Sequence, residues 1–525
     1  MIVVSDIRLP LEGSEEEAKE IARKRLGYPE GGSFQIRKMS YDFRRGRPSR
    51  ICSVVVRFDS EEQEQELSQG KKGVAFSRRS RFAPVMGLQP MEHRPVVVGS
   101  GPAGLFAAYL LAQYGYRPIL LERGADVDSR VAAVSSFFET GDLNRDTNIQ
   151  FGEGGAGTFS DGKLVSRIHD DLCEYVLNTF YRYGAPEDIL VKAKPHIGTD
   201  ELRLVVKKMR QAIETNGGEV RFLCRMDDLI VSHGRVVGVR SSAGDIATEN
   251  VILAVGHSAR DTFEMLSGKG LLITSKPFSV GLRIEHLQKD VDESLYGKYA
   301  GDPRLPVGEY NLSVREGDRG VYTFCMCPGG EVVPAASELG GVVTNGMSNH
   351  ARSGKNANSA VCVSVLGSDF GNNPYRAVEF QRNLERAAYA AAGGGYKAPA
   401  SNVGAFLDGR KGLRIGRVEP TYARGVVAYD LWRILGEEYS RALSNGIRAF
   451  GKKMKCFSDA EAILTGVETR TSSPLRISRT EEREAVGLQG LYPCGEGAGY
   501  AGGIMSAAVD GLRTAAAIIE KYRPE

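Results

Sequence analysis

Three features that would have narrowed the class of this chain at once are missing from its sequence. There is no long unbroken apolar run: the most apolar stretch, residues 96–121, is interrupted by glycine, proline and glutamine, so no membrane span is expected. There is little net charge, +3 over 525 residues, too near zero to argue for nucleic acid by itself. The eight cysteines follow no even framework and the seven histidines form no H-x-x-x-H pair, so neither a disulfide scaffold nor a metal site is expected. The first residues, MIVVSDIRLPLEGSEEE, hold no basic segment followed by an apolar one, and no signal peptide is read there. Free thiols then point to a reducing compartment, and the expected location is the cytoplasm. Repeats and low-complexity tracts are absent too. What the chain has in quantity is glycine, 63 residues, many in clusters, as in loops that let a ligand approach the backbone.

The length predicts several domains. Residues 1–90 read as a separate α/β module: a strand at 2–9, a helix opened by Ser14 and running to about 26, and a hairpin from 34–43 and 51–58. Ser60 is placed to cap a second helix. This order is compatible with part of a ferredoxin-like fold. The module's turn carries Arg44, Arg45 and Arg47, with more basic residues at Lys71, Lys72 and 78–81. These read as a solvated surface and basic linker, with nucleic-acid or acidic-partner binding as the alternative. From residue 94 strands and helices alternate, which predicts a doubly wound α/β domain built from 94–275 and 450–525. Residues 276–449 break the alternation and read as an inserted, sheet-based substrate domain.

The sharpest motif is PVVVGSGPAGLF at 95–106. An apolar strand leads into Gly99-x-Gly101-Pro102-Ala103-Gly104 and a helix follows. The glycines suit a tight turn, contact with a pyrophosphate, and close packing of helix on strand. Glu122 ends the next strand, where an acid is expected to accept from ribose hydroxyls. This fingerprint alone does not separate NAD from FAD.

Two later stretches add to it: VILAVG at 251–256, with Ala254 and Gly256 in its turn, and GLYPCGEGAGYAGG at 490–503. With these the sequence resembles the glutathione-reductase-like class of FAD flavoproteins. The longer strings QFGEGGAGTFSDGKL, FCMCPGGEVV, VTNGMS and LYPCGEGAGYAGGIMSAA resemble a family of uncharacterised FAD-dependent dehydrogenases with a small N-terminal domain, over nearly the whole chain. The resemblance implies a Rossmann-type FAD-binding domain, a non-covalent flavin, hydride or electron transfer, and a small-molecule substrate it does not identify. It places Gly495 and Glu496 near the ribityl chain or pyrophosphate, although most relatives carry Asp in that position. It aims the start of the helix at Gly502, Gly503 and Ile504 toward the flavin N1–C2=O edge. NAD(P)H is a candidate transient reductant. No second GxGxxG is read on a strand–turn–helix unit, so no separate NAD domain is expected, which disfavours the two-nucleotide disulfide reductases. A flavin monooxygenase, and an RNA-binding, tRNA-modifying or redox-sensing flavoprotein, are the rival readings.

The stretch GTFSDGKL at 157–164 looks like a P-loop but ends in Leu164, which cannot ligate magnesium as Ser or Thr would. The glycines of the larger unit 150–163, among them Gly154, Gly155, Gly157 and Gly162, are expected instead beside the flavin, with Thr158 and Ser160 reaching ring heteroatoms or the chain linking them to phosphate. Lys163 reads either as a charge near flavin N1 or a substrate anion, or as a solvent-exposed lysine. Arg130 and Arg123 are candidate phosphate contacts, with a surface ion pair as the alternative for Arg123. Cys325-x-Cys327 reads as a redox dithiol or as two strand positions sharing a face. His257 reads as a cofactor-loop or structural residue, His350 as a pocket or loop residue, and Arg283 as an anion binder or half of an ion pair.

Overall fold

The computed structural model describes residues 1–43, 47–78, 82–165, 168, 170–371 and 373–524. Alternating apolar residues at the start of the chain form the strand Ile2–Pro10, which buries Ile2, Val4 and Ile7 completely. Ser14 accepts the Glu17 N–H at 3.1 Å and so starts the helix Glu15–Leu26, which acidic residues open and basic residues close, in line with its dipole. The strands Ser33–Asp42 and Ser49–Arg57 pair as a hairpin, Ser60 caps the helix Glu61–Ser68, and the strand Val74–Phe76 completes the set. Their order across the sheet is second, third, first, fourth, with every neighbour antiparallel. That is the complete βαββαβ ferredoxin-like arrangement. Arg44 and Arg45 lie outside the described residues; Arg47 is exposed.

This sheet belongs to a compact unit of Met1–Ala83, Lys163–His196 and Asp302–Pro306. Sequence had assigned 163–196 to the α/β domain and 302–306 to the inserted domain. Local bonds account for the difference. The Met39 N–H donates to Val191 at 2.7 Å and the Ala193 N–H to Met39 at 2.8 Å, so this stretch extends the edge strand. Arg304 reaches Glu12 at 2.8 Å.

The second unit comprises Pro84–Gly162, Ile197–Gly301 and Val307–Glu525. Five short strands form an all-parallel sheet in the order Leu491–Pro493, Val251–Leu253, Val96–Val98, Ile119–Leu121, Glu219–Arg221. The first four are buried throughout, as parallel strands covered on both faces must be. The helices Pro102–Gln113 and Ile504–Lys521 pack closely because Gly511 has no side chain; a Cβ there would stand 2.1 Å from the Ala103 carbonyl oxygen. A three-stranded meander runs from Met226–Ser232 through Arg235–Ser241 to Gly244–Ala247.

A seven-stranded sheet forms the other half of this unit, in the order Ser313–Glu316, Arg319–Cys327, Asn356–Val365, Phe278–Leu287, Ile463–Glu468, Ala398–Asn402, Val426–Ala428. It takes a strand from beyond residue 449, so the inserted domain continues past the expected boundary. The strand Phe278–Leu287 is buried on both faces up to His286, and of the two readings of Arg283 the structure shows the ion pair. Arg283 pairs with Glu468 at 2.7 Å inside the protein, and this neighbour holds its guanidinium pKa above the usual value despite burial. No helix among the described residues is long and apolar enough to cross a membrane.

Candidate functional site

In a parallel sheet every strand delivers its carboxyl end to the same edge. Register places Val98, Leu253 and Pro493 side by side at that edge. The turns that follow, beginning at Gly99, Ala254 and Cys494, are therefore neighbours although nearly 400 residues separate the first from the last. The fourth glycine-rich segment joins them from the side. A Cβ on Gly155 would lie 2.8 Å from the Gly101 Cα, and one on Gly157 would lie 3.1 Å from Ile504 and 3.8 Å from Pro102. The sequence segments near 100, 155 and 500 thus meet in one place. Ala103 touches this cluster as well, 2.7 Å from where a Gly495 Cβ would stand.

Some of these glycines face open space rather than protein. A Cβ on Gly101 would meet only the Gly155 Cα at 3.8 Å, and one on Gly256, Gly502 or Gly503 would meet nothing within 4 Å. No side chain caps the helix that begins at Pro102 or the one that begins at Ile504. Their free N–H groups and positive dipole ends suit anionic or carbonyl oxygens of a ligand.

The loop between Gly152 and Asp161 is held by side chains assigned other tasks from sequence. Glu122 accepts from the Ser100 N–H at 2.9 Å, the Ser100 hydroxyl at 2.6 Å, the Gly124 N–H at 2.9 Å and the Gly152 N–H at 3.0 Å. Four donors fill a carboxylate, so Glu122 clamps three turns together and is not a ribose acceptor. Arg130 is wholly buried and donates to the carbonyls of Asn148, Ile149, Gly152, Glu153 and Gly155, which corrects its expected phosphate contact. Arg123 binds Asp146 and Asp261, each at 2.8 Å or less, and lies over Phe151; it is a structural ion pair. The Thr158 hydroxyl donates to Glu153 at 3.2 Å and that of Ser160 to Gly157 at 2.7 Å, so both are used within the loop rather than offered to a ring. Asp161, fully buried, accepts from Ser348 and Arg352 and anchors the loop to the seven-stranded half. Gly154 and Gly162 stand at positive φ within the same loop. Lys163 belongs to the first unit, where its backbone bridges that of His196. His350 bonds Ile197 and Asp200 and so anchors a connection.

The late turn is fixed by Asp510, which sequence reading missed. It accepts from the Gly495 N–H at 2.8 Å, from Arg479 at 2.6 Å and from Arg483 at 2.7 Å. Arg479 in turn stacks 3.6 Å from the Tyr500 ring centre. Glu496 makes no side-chain hydrogen bond or ion pair among the described residues. Burial pushes its carboxyl up to about 7, against the pull of Lys276. His257 bonds Ser258 at 3.0 Å, and burial beside Arg470 and Arg260 pushes its imidazole down to about 3, so it is neutral. Those two arginines bracket Glu385, a buried carboxylate that accepts from Arg260 at 2.8 Å and from Arg470 at 3.1 Å. Burial opposes its charge, but the two guanidinium groups outweigh that and hold its pKa well below the carboxylate range.

Cys325 and Cys327 do not share a strand face. The strand register slips between Phe324 and Cys327, and Cys325 adopts φ +47°, so the pair straddles a β-bulge. The Cys327 thiol donates to the Cys325 carbonyl at 3.4 Å. A hydrogen bond with the Cys325 side chain, together with burial, raises its pKa well above the usual thiol value. A thiol that stays protonated is a poor nucleophile.

The cradle of bare glycines and two uncapped helices fits a dinucleotide, and comparison with known proteins specifies which. Residues 277–471 match the family described as FAD-dependent protein, C-terminal domain-like, and residues 97–135 match the NAD(P)-binding Rossmann-like domain. An uncharacterized protein of Clostridium beijerinckii is 44% identical over 493 residues, 93% of this chain and 92% of that one. The chain belongs to this family of FAD-dependent oxidoreductases, and its cofactor is FAD. Among solved structures, L-amino acid deaminase from Proteus vulgaris is 12% identical over 84% of this chain and 97% of its own, with a TM-score of 0.34. Glycine oxidase from Geobacillus kaustophilus is 11% identical over 81% and 93%, with a TM-score of 0.32. At those scores neither carries an argument about substrate.

Proposed function

We propose that this is a dehydrogenase- or reductase-type enzyme that acts on a small molecule through a non-covalent FAD held where the glycine-rich turns meet. The carrying observation is the meeting of the 99–104, 154–157 and 494–504 segments at one sheet edge, with two uncapped helix starts among them. Gly101, Ala103 and Gly104 would hold the pyrophosphate with backbone N–H groups, and Gly155 lets the middle loop approach them closely. Glu496, unpartnered and adjoining the late turn, would accept from a ribityl hydroxyl. The N–H groups after Gly503 would face the carbonyl edge of the ring and favour negative charge there. Bound FAD supplies two-electron transfer; the chain orients it and excludes water.

The order of motifs, with an early fingerprint, a mid-chain turn and a late acid-bearing turn, supports the glutathione-reductase-like subclass without a separate NAD domain. The free state of all eight cysteines supports a reducing, cytoplasmic setting. The test is anaerobic: the FAD-loaded protein is mixed with NADH, NADPH and fractionated metabolites while the visible flavin band is followed. Bleaching by a metabolite or a nicotinamide supports the reading. Reduction followed by oxygen consumption and a hydroxylated product would replace it with a monooxygenase.

A further inference from the structure

The residues around the late turn include several cations, and nearly all are spoken for. Arg470 is bound to Glu385, Arg479 and Arg483 to Asp510, and Arg283 to Glu468. Arg476 donates to the Gly499 carbonyl at 3.2 Å and lies over the Tyr500 ring. His257 is neutral. Lys276 differs from them: its ammonium has no hydrogen bond and no ion pair among the described residues, although it is only partly exposed.

Its backbone fixes where it stands. Lys276 follows the strand Ile273–Ser275, which pairs antiparallel with Leu475–Ile477, and its N–H donates to Pro474 at 2.9 Å. The partner strand abuts the late turn: a Cβ on Gly499 would lie 2.8 Å from the Leu475 oxygen, and Ser473 donates to the Gly497 carbonyl at 3.0 Å. The residue after next, Phe278, begins the central strand of the seven-stranded sheet. Lys276 therefore stands where the cofactor edge gives way to the inserted half, within electrostatic reach of Glu496 but not paired with it. Burial lowers its pKa, as expected for an ammonium partly removed from water with no full counter-charge. Glu496 supplies only part of that counter-charge near neutral pH, because burial raises its carboxyl to about 7.

A half-buried ammonium without a partner is costly, and a ligand that supplies the missing charge recovers that cost. We propose that Lys276 is a substrate-binding residue and that the substrate is an anionic small molecule whose carboxylate, or equivalent oxyanion, pairs with its ammonium. This rests on the FAD reading above, since it takes the surrounding turns as the cofactor's.

Calorimetric titration of the FAD-loaded protein with acetate, pyruvate and benzoate, each against its neutral amide, tests the assignment. The carboxylates should bind and the amides should not. Lys276→Met should weaken carboxylate binding by about ten- to a hundredfold, the size of one charge-assisted bond, and Lys276→Arg should restore part of it. FAD affinity, measured separately, should be the same in all three proteins. Amides binding as well as acids, no carboxylate binding at all, or equal binding to Lys276→Met would overturn the proposal. So would a Lys276→Met protein whose flavin midpoint potential shifts while carboxylate affinity is unchanged, because the charge would then serve the cofactor. Failure to load FAD is a distinct result: it removes the cofactor reading, while calorimetry on the unloaded protein still reports whether Lys276 binds carboxylates.

Discussion

At the scale of single residues the site separates groups that leave room from groups that hold shape. Gly101 has an ordinary φ of −67° and open space beside it, so a methyl group there strains nothing in the protein. Gly101→Ala should leave the thermal midpoint of the FAD-free protein nearly unchanged and weaken FAD binding by at least about tenfold, since the pyrophosphate must approach this backbone. Fluorescence titration with FAD, beside a melt of the empty protein, reads both. Glu385 is the opposite case. Glu385→Gln leaves Arg470 buried without its carboxylate and Arg260 with Glu338 alone, and should cost about 3–5 kcal/mol in urea unfolding. Glu496 gives a pH signature. Its folded-state pKa is raised from 4.5 to about 7, so the native state holds a proton that the unfolded chain has lost. Stability of the FAD-free protein should therefore fall as pH rises across that window, and Glu496→Gln should flatten the fall. Urea midpoints of both proteins from acidic to neutral pH would show it; parallel curves would contradict it.

At the scale of elements, the last helix and the turn before it act together. Asp510 lies one and a half turns into Ile504–Lys521 and reaches back to the Gly495 N–H, so the helix itself sets the turn that precedes it. Asp510→Asn frees Arg479 and Arg483 and should cost about 1.5–3 kcal/mol, with a parallel loss of FAD affinity. Denaturation and FAD titration of the same variant test the coupling; lost stability with full affinity would break it. Elements with local signals were legible in the sequence: the Ser14 and Ser60 caps, the hairpin, and the strand–glycine–helix unit at 96–113 all form. What local pattern could not carry was long-range pairing. Nothing near residue 191 announces that it will bond Met39, and nothing near 463 announces the seven-stranded sheet. For the same reason Glu122, Arg130 and Thr158 were placed in the right neighbourhood with the wrong partners. Sequence gives the position of a polar side chain, and the donors that come from other turns decide its task. The Cys325 and Cys327 spacing misled because a bulge breaks the period of two on which the shared-face reading depends.

At the scale of the molecule, the carboxyl edge of one five-stranded parallel sheet brings segments from across the chain to one ligand. The order of the strands does this: the earliest, Val96–Val98, lies one strand away from the latest, Leu491–Pro493, with Val251–Leu253 between them. The inserted half adds Lys276 and the buried ion network beside that edge. The most direct measurement is FAD stoichiometry and affinity for the intact chain and for three single variants, Gly101→Ala, Gly155→Ala and Asp510→Asn, which alter the early, middle and late segments in turn. One FAD per intact chain, with affinity reduced by each of the three, is the predicted result. A chain that takes up no FAD, or one whose affinity is untouched by changes in two of the three segments, would contradict a single shared site.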